Sequence, residues 1–401
     1  MIDIRVTRRA QVPDPLRIRR CQQSPELGPQ ILFFSGGSAL DGLSRTLPLY
    51  THRSIHLVTP FDSGGSSAKL RHAFDMPAVG DLRSRLMALA DDSLLGHPEV
   101  FRLFQHRLPD TAPPELLSTR LTALAAGEHP LIRDIADPMR KLILHQLEHF
   151  CAAMPEDFDL RGASIGNLIL AGGYLSHQHQ LDPIIFLFSQ LVQVRGTVRA
   201  IVDENYHLAA TLENGATVVG QHRLTGKEVA PLTSPIARFG LSRRADRWDP
   251  GTATLPDKSR KLIEAAELIC YPPGSFYTSL IANLLASGVG RAIRTNPGPK
   301  VFIPNTGIDP EQLGMSLERQ LDTLLHQLRQ DAGEDTPTHQ LLNFVLLDSR
   351  QGGSSSALPI DTLTRQCAER GLTLIDTRLI SEASAPYYDN DLLARALVSL
   401  A

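Results

Sequence analysis

Apolar and polar positions follow two rhythms along this chain. The short apolar runs "ILFF" at 31–34 and "SIHLV" at 54–58 each lead into a stretch rich in Gly, Ser and Asp, the pattern of a buried strand that ends in a loop. Helical spacing follows the second loop: Leu82, Leu86, Met87 and Leu89 in "GDLRSRLMALADD" predict a helix with Asp81 as its N-cap. The rhythm returns late in the chain, where "ELICYPPGSFYTSLIANLL" reads as strand, loop and helix and "KVFIPNTG", "NFVLLDS" and "LTLIDTRLI" as further strands. Strand, loop and helix in repetition predict an α/β fold with a parallel sheet and crossovers. Such sheets bind ligands at the carboxyl ends of their strands.

Between these halves the pattern changes twice. From about Ser93 to Glu156 it is helical, and "GASIGNLILAGGYLSHQHQLDPIIFLFSQLVQV" predicts a long, mostly buried helical stretch bent near Pro183. Then "GTVRAIVDENYHLAATLENGATVVGQH" alternates around Asn214-Gly215, a strong hairpin signal. The expected organisation is an N-terminal extension over 1–29 and a single domain over 30–401. That domain carries a helical insertion at about 93–160 and a β-hairpin and loop insertion at about 196–258. Trp248 is expected to anchor the loop "SRRADRWDPGTATLPDKS", and "GGSSSA" near Gly352 reads as a flexible connection.

Charge narrows the function classes. Lys+Arg 40 against Asp+Glu 43 leaves a net charge of -3, so the chain lacks the broad basic field of a non-specific nucleic-acid binder. Cys21, Cys151, Cys270 and Cys367 form no CxxC pair, which argues against a zinc ribbon or a redox pair. Basic residues near the N-terminus precede no apolar run, and no run reaches membrane-spanning length. A cytoplasmic protein with neither nucleic acid nor membrane as partner is expected.

Three loops that follow predicted strands, at 35–42, 62–71 and 272–279, each combine Gly with Ser or Thr. Gly permits close backbone approach, and hydroxyls and cations nearby suit a phosphate. None has the spacing of a P-loop or of GxGxxG. "HQLEH" at 145–149 puts two His on one helical face and reads as a surface helix. His177 and His179, two apart, would point to different faces of a helix.

Taken in order, "FFSGGSALDGL", "DSGGSSAKLR", "VGDLRSRLMALAD", "GNLILAGGYL", "PPGSFYTSLIANLL" and "VFIPN" resemble the CofD-like superfamily. That group includes the phospholactate transferases of coenzyme F420 synthesis and the YvcK-type gluconeogenesis factors, which bind UDP-sugars. Length and departures look like the CofD-related branch of the bacterial GAK gene system. The resemblance implies a Rossmann-like fold that holds a nucleoside diphosphate or nucleotide sugar, with Mg2+ as its one expected cofactor, none covalently bound, and a homodimer as a further implication.

By motif match, Gly36, Gly37 and Ser38 approach the phosphates or nucleoside, and Asp62 faces the reacting end as catalytic residue and Mg2+ ligand. Ser63, Gly64, Gly65, Ser66 and Ser67 line the floor. Arg71, Gly80, Asp81 and Arg83 stand beside them, with Arg71 and Lys69 as sources of positive charge. Asn167, Gly274, Ser275, Tyr277, Thr278 and Asn305 complete the wall, Tyr277 against base or sugar. Three departures stand out: Ala39 where the family has Gly, Ser63 in place of the second of two adjacent acids, and Ser84-Arg85 where "NC" is common. Two functions follow. One is transfer of a phosphorylated moiety from a nucleoside-diphosphate-activated donor to a hydroxyl, and the other is nucleotide-sugar sensing without turnover.

Overall fold

The computed structural model describes residues 10–91, 96–226, 229–350 and 359–401. The predicted flexible tract near Gly352 and the predicted start of the helical stretch at Ser93 lie outside them.

Eleven strands are found among the described residues. They are β1 (Ile31–Ser35), β2 (Ile55–Val58), β3 (Thr197–Ala200), β4 (His207–Leu212), β5 (Thr217–Val219), β6 (Ile236–Ser242), β7 (Pro250–Gly251), β8 (Leu268–Tyr271), β9 (Lys300–Phe302), β10 (Phe344–Leu347) and β11 (Thr373–Asp376). Seven form one parallel sheet in the order β11-β10-β9-β8-β1-β2-β3, so β1 lies inside the sheet between β2 and β8. All residues of β1, β2 and β8 are buried, which is why their sequences are continuous apolar runs: each face of the sheet is covered. Phe33 packs with Leu393 and Leu397 of the C-terminal helix on one face, while Phe34 and Tyr271 face the opposite core. The chain goes from β1 to β2 and β3 on one side and fills the other side only later, from β8 onward. This makes β1/β8 the switch point at which a doubly wound sheet opens a crevice.

The predicted hairpin is present. β4 and β5 turn over Asn214-Gly215, where Gly215 has φ +85, and with β6 and β7 they form a four-stranded antiparallel sheet in the order β5-β4-β6-β7. Leu208, Ala210 and Leu241 of this sheet share a core with Phe276 and Ile281 after β8 and with Phe34 and Tyr271, on one face of the large sheet. Trp248 Nε1 donates to the carbonyl of Leu241, and Arg238 stacks on the ring.

The helices differ from expectation in three places. The loop predicted after β2 becomes the helix Gly65–Phe74 almost at once. Asp81 occupies the second position of the helix Gly80–Leu89 and is not its N-cap, a place taken by Val79; an acid in the first turn suits the helix dipole in either position. The long buried stretch is two helices, Ile165–Ser176 and Leu181–Leu191, and the break precedes Pro183, with Gln178 and His179 at positive φ. Pro183 falls in the first turn of the second helix, where its missing N–H costs nothing. His177 and His179 therefore lie beyond a helix end, not on two faces of a helix. His145 and His149 are exposed on Met139–Ala153. Within 96–160, the helices Pro98–Gln105, Pro114–Ala125, Pro130–Arg133 and Met139–Ala153 share one apolar cluster with Leu168 and Phe188. The N-terminal helix Pro15–Gln23 packs Ile18 and Cys21 against the C-terminal helix, where Asp14 N donates to Ser399 Oγ at 2.8 Å.

Candidate functional site

The loop after β1 is held from beneath. Gly37 has φ +39, its N–H donates to Asp81 Oδ2 at 2.8 Å, and its carbonyl accepts from Arg85 Nη2 at 3.1 Å. Both backbone groups of Gly37 are thus tied inward, and a side chain built there would meet nothing within 4 Å. Arg85 is 1% exposed, and it also donates to Ser44 Oγ at 2.5 Å and pairs with Asp41 at 3.3 Å. A guanidinium so deeply buried needs acceptors and a countercharge, and here Nη1 and Nη2 find them while Nε has no hydrogen-bond partner among the described residues. Fixed positive charge thereby sits directly under the Gly36-Gly37 turn.

Two carboxylates converge beside this turn. Asp62 Oδ1 accepts from Gly64 N at 3.1 Å, and a Cβ on Gly80 would stand 3.3 Å from Asp62 Oδ2. Burial, and then the charge of Asp62, pushes the Asp81 carboxyl up to about 6 against the pull of the Gly37 amide and Arg85. Among the described residues no group of three or more His, Cys, Asp or Glu could hold a metal alone. Mg2+, however, takes one or two carboxylates and completes its shell with phosphate oxygens and water. Asp62 and Asp81 fit that donor set. Ser63 does not join it, since its Oγ lies 2.8 Å from His222 Nδ1 and accepts from His222 N at 3.2 Å.

A third group of residues follows β8. Gly274 and Asn305 clasp each other, with Gly274 N donating to Asn305 Oδ1 and Asn305 Nδ2 to the Gly274 carbonyl, both at 2.7 Å. Next comes a π-helical turn, Phe276–Ile281, whose first amides are already occupied. Phe276 N donates to Asp309 Oδ2, and Tyr277 N and Thr278 N both donate to Glu311 Oε2, each at 2.8 Å. The anion at this helix start belongs to the protein. Burial and the neighbouring Asp309 push the Glu311 carboxyl up to about 7 from 4.5, outweighing the three donors it meets.

The sign of the consequence follows from linkage. Between pH 4.5 and 7 the folded state keeps a proton on Glu311 that the unfolded chain releases, so stability falls as pH rises through that window. Glu311→Gln is expected to remove this fall, leaving below about pH 6 the falls that Asp81 and Asp203 contribute and, against them, the rise from His207, whose imidazole is pushed down to about 4. Urea unfolding at pH 5, 6, 7 and 8 measures it, and an unchanged slope above pH 6 would rule the clamp out as its source.

Between the first and third groups lies a cavity of 450 Å³ at the β1/β8 switch point, lined by Ala39, Gly274, Ser275, Asn305, Ile308 and Tyr387, among others. The model of the family described as 2-phospho-L-lactate transferase CofD matches residues 31–380. The chain belongs to the CofD family. Its relatives include a gluconeogenesis factor of Bacillus subtilis, 27% identical over 368 residues that cover 91% of this chain and 93% of the relative. Another, from Halalkalibacterium halodurans, is 27% identical over 275 residues, covering 69% and 66%. A crystal structure of a UPF0052 family protein from Bacillus halodurans superposes with a TM-score of 0.62 at 22% identity, covering 92% of this chain and 99% of that one, a likeness of fold.

Within this CofD family fold the expected site residues divide. Gly36, Gly37, Ser38, Asp62, Gly64, Gly65, Ser66, Ser67, Gly80 and Asp81 cluster at the carboxyl ends of β1 and β2. Arg83 Nε and Asn167 Oδ1 join beside them at 2.9 Å, and Asn167 Nδ2 reaches Ser66 Oγ at 3.4 Å. Three expected residues stand elsewhere. Tyr277 is buried against Phe239 and borders a separate 540 Å³ cavity beneath the small sheet, and Thr278 Oγ1 is spent on Glu311. Arg71 is 5% exposed and braces the small sheet through Asn205 and the carbonyls of Phe61, Asp62 and Tyr206. Lys69 is likewise spent, on Asp159 and the Arg161 carbonyl. Glu311, Asp309 and His222 escape sequence reasoning because they come from segments distant in the chain, whereas Arg85 is signalled by its departure from the family's "NC".

Proposed function

We propose that this CofD family member binds a nucleoside-diphosphate ester across the carboxyl ends of β1, β2 and β8 and transfers its phosphorylated moiety to a hydroxyl acceptor. The observation that carries the reading is the pair Asp62 and Asp81 set against the Gly37 turn, with Arg85 fixed below. Phosphoryl-type transfer is driven by positioning and charge stabilisation and needs no covalent nucleophile. In this reading Asp62 orients the acceptor hydroxyl, Asp81 holds the turn, and Arg85 offsets negative charge gathered above it. Mg2+ bound by Asp62 and Asp81 would neutralise diphosphate oxygens.

The second reading is a nucleotide-sugar sensor of the YvcK type. It is favoured by Ser63, which replaces an acid and is bound to His222, and by relatives named gluconeogenesis factors. Asp62→Asn separates the two readings. For the transferase, turnover of the nucleoside-diphosphate donor falls by about 10²–10⁴ while its affinity measured without Mg2+ stays within about threefold. Saturable binding without turnover in the unmutated protein, across donors and hydroxyl acceptors, would establish the sensor instead.

A further inference from the structure

On the far side of Asp62 from the switch point, a cavity of 510 Å³ opens between the helix Gly65–Phe74 and the small antiparallel sheet. Its lining is cationic and imidazole-rich: Arg71, His72, His207, His222 and Arg223, with Asp75 as its one carboxylate. Several of these groups are committed. The donors of Arg71 go to backbone carbonyls, Asn205 and His207, and Asp75 accepts from Asn205 Nδ2 at 2.5 Å. Arg223 and His72 are exposed and have no hydrogen-bond or ion-pair partner among the described residues. Burial, and then Arg71, push the His207 imidazole down to about 4 against the pull of Asp75.

Ser63 borders the same cavity with one valence open. Its Oγ accepts from His222 N and lies at hydrogen-bond distance from His222 Nδ1, so with its proton turned to that nitrogen one lone pair remains for an incoming hydroxyl. That oxygen belongs to the residue next to Asp62. The groups left unsatisfied are a guanidinium, an imidazole and a hydroxyl acceptor, a combination that matches a hydroxylated anion better than an apolar or cationic molecule.

We infer that this cavity is the acceptor subsite, and that its occupant is a small anion with two hydroxyls, whose charged end meets Arg223 and His72, one hydroxyl donating to Ser63 Oγ and the other presented to Asp62. Transfer forms the new P–O bond at that second oxygen, whose proton passes to Asp62, breaks the donor's P–O–P bond and releases nucleoside monophosphate. The assignment rests on the transferase reading above and adds the chemical class of the acceptor. Calorimetric titration of the full chain with inorganic phosphate, glycerol 3-phosphate and glycerate tests it, a stronger response to one of the last two showing whether the charged end is phosphate or carboxylate. Glycerol 3-phosphate or glycerate should bind at least fivefold more tightly than phosphate. Arg223→Ala should weaken all three about tenfold, and Ser63→Ala should erase the advantage of the hydroxylated probes. Affinity for a nucleoside-diphosphate sugar should be unchanged in Arg223→Ala. The inference is overturned if none of the three probes binds, if Arg223→Ala leaves them unaffected, or if nucleotide affinity drops in parallel. Should the anions bind through Arg223 while no nucleoside diphosphate binds anywhere, the transferase reading fails and the cavity loses its role as acceptor subsite.

Discussion

Arg85→Leu is expected to destabilise the fold by about 3–5 kcal/mol, the usual cost of removing one partner from a buried charge network. The effect is large because three acceptors depend on this side chain. Without it the Gly37 carbonyl and Ser44 Oγ lose their donor, and Asp41 loses its countercharge. Asp81, which burial and Asp62 already push toward the protonated form, loses a cation that pulls the other way. Leu fills part of the volume and none of the polar need. Arg85→Lys keeps the charge but not the planar fork that reaches Gly37 and Ser44 together, so its cost should fall between the two. Denaturant unfolding measures both variants; an Arg85→Leu protein within about 0.5 kcal/mol of the unmutated chain would mean that the buried guanidinium supports nothing.

Gly37→Val should abolish ligand binding with the sheet intact. A φ of +39 costs a non-glycine residue about 1–2 kcal/mol, a branched one more, and this loop can bear that amount because the core beneath it is untouched. The inward ties to Asp81 and Arg85 aim the new side chain outward, into space that is empty within 4 Å. On the proposed reading, that space is where a diphosphate approaches the backbone. An affinity loss of at least about a hundredfold, roughly 2.7 kcal/mol, is the expected result. Circular dichroism confirms the fold, and titration of the same ligand into both proteins gives the ratio. An affinity within threefold of the unmutated protein would place the ligand elsewhere.

These two residues show what the sequence makes legible. The turn at Gly37 can be read directly, since a glycine pair after a buried apolar run marks the turn that ends a strand, and the same holds for the hairpin at Asn214-Gly215 and for the fully apolar central strands. Arg85 cannot be placed by periodicity, because an arginine within a helical pattern is ordinarily a solvated face. Its burial depends on Asp41 and Ser44, more than 40 positions away, closing over it. Distance in the chain also hides the partners of the β8 loop: the amides of Tyr277 and Thr278 look free for a phosphate until Glu311 is folded back on them. Tyr277 is equally hard to place, since an aromatic beside a glycine loop suits that loop's crevice on paper and instead packs against Phe239 under the small sheet, bordering a different cavity. The break before Pro183 was out of reach for a local reason, because proline permits either a bend or a start and only the backbone of Gln178 and His179 decides.

The most direct test is calorimetric titration of the unmutated protein with UDP-, GDP-, CDP- and ADP-linked sugars, each with and without Mg2+. The prediction is saturable one-to-one binding of at least one of them, strengthened by Mg2+ through Asp62 and Asp81 and lost in Gly37→Val. Absence of binding to all four, or binding that Gly37→Val leaves intact, would contradict the assignment of the β1, β2 and β8 edge as a nucleoside-diphosphate site.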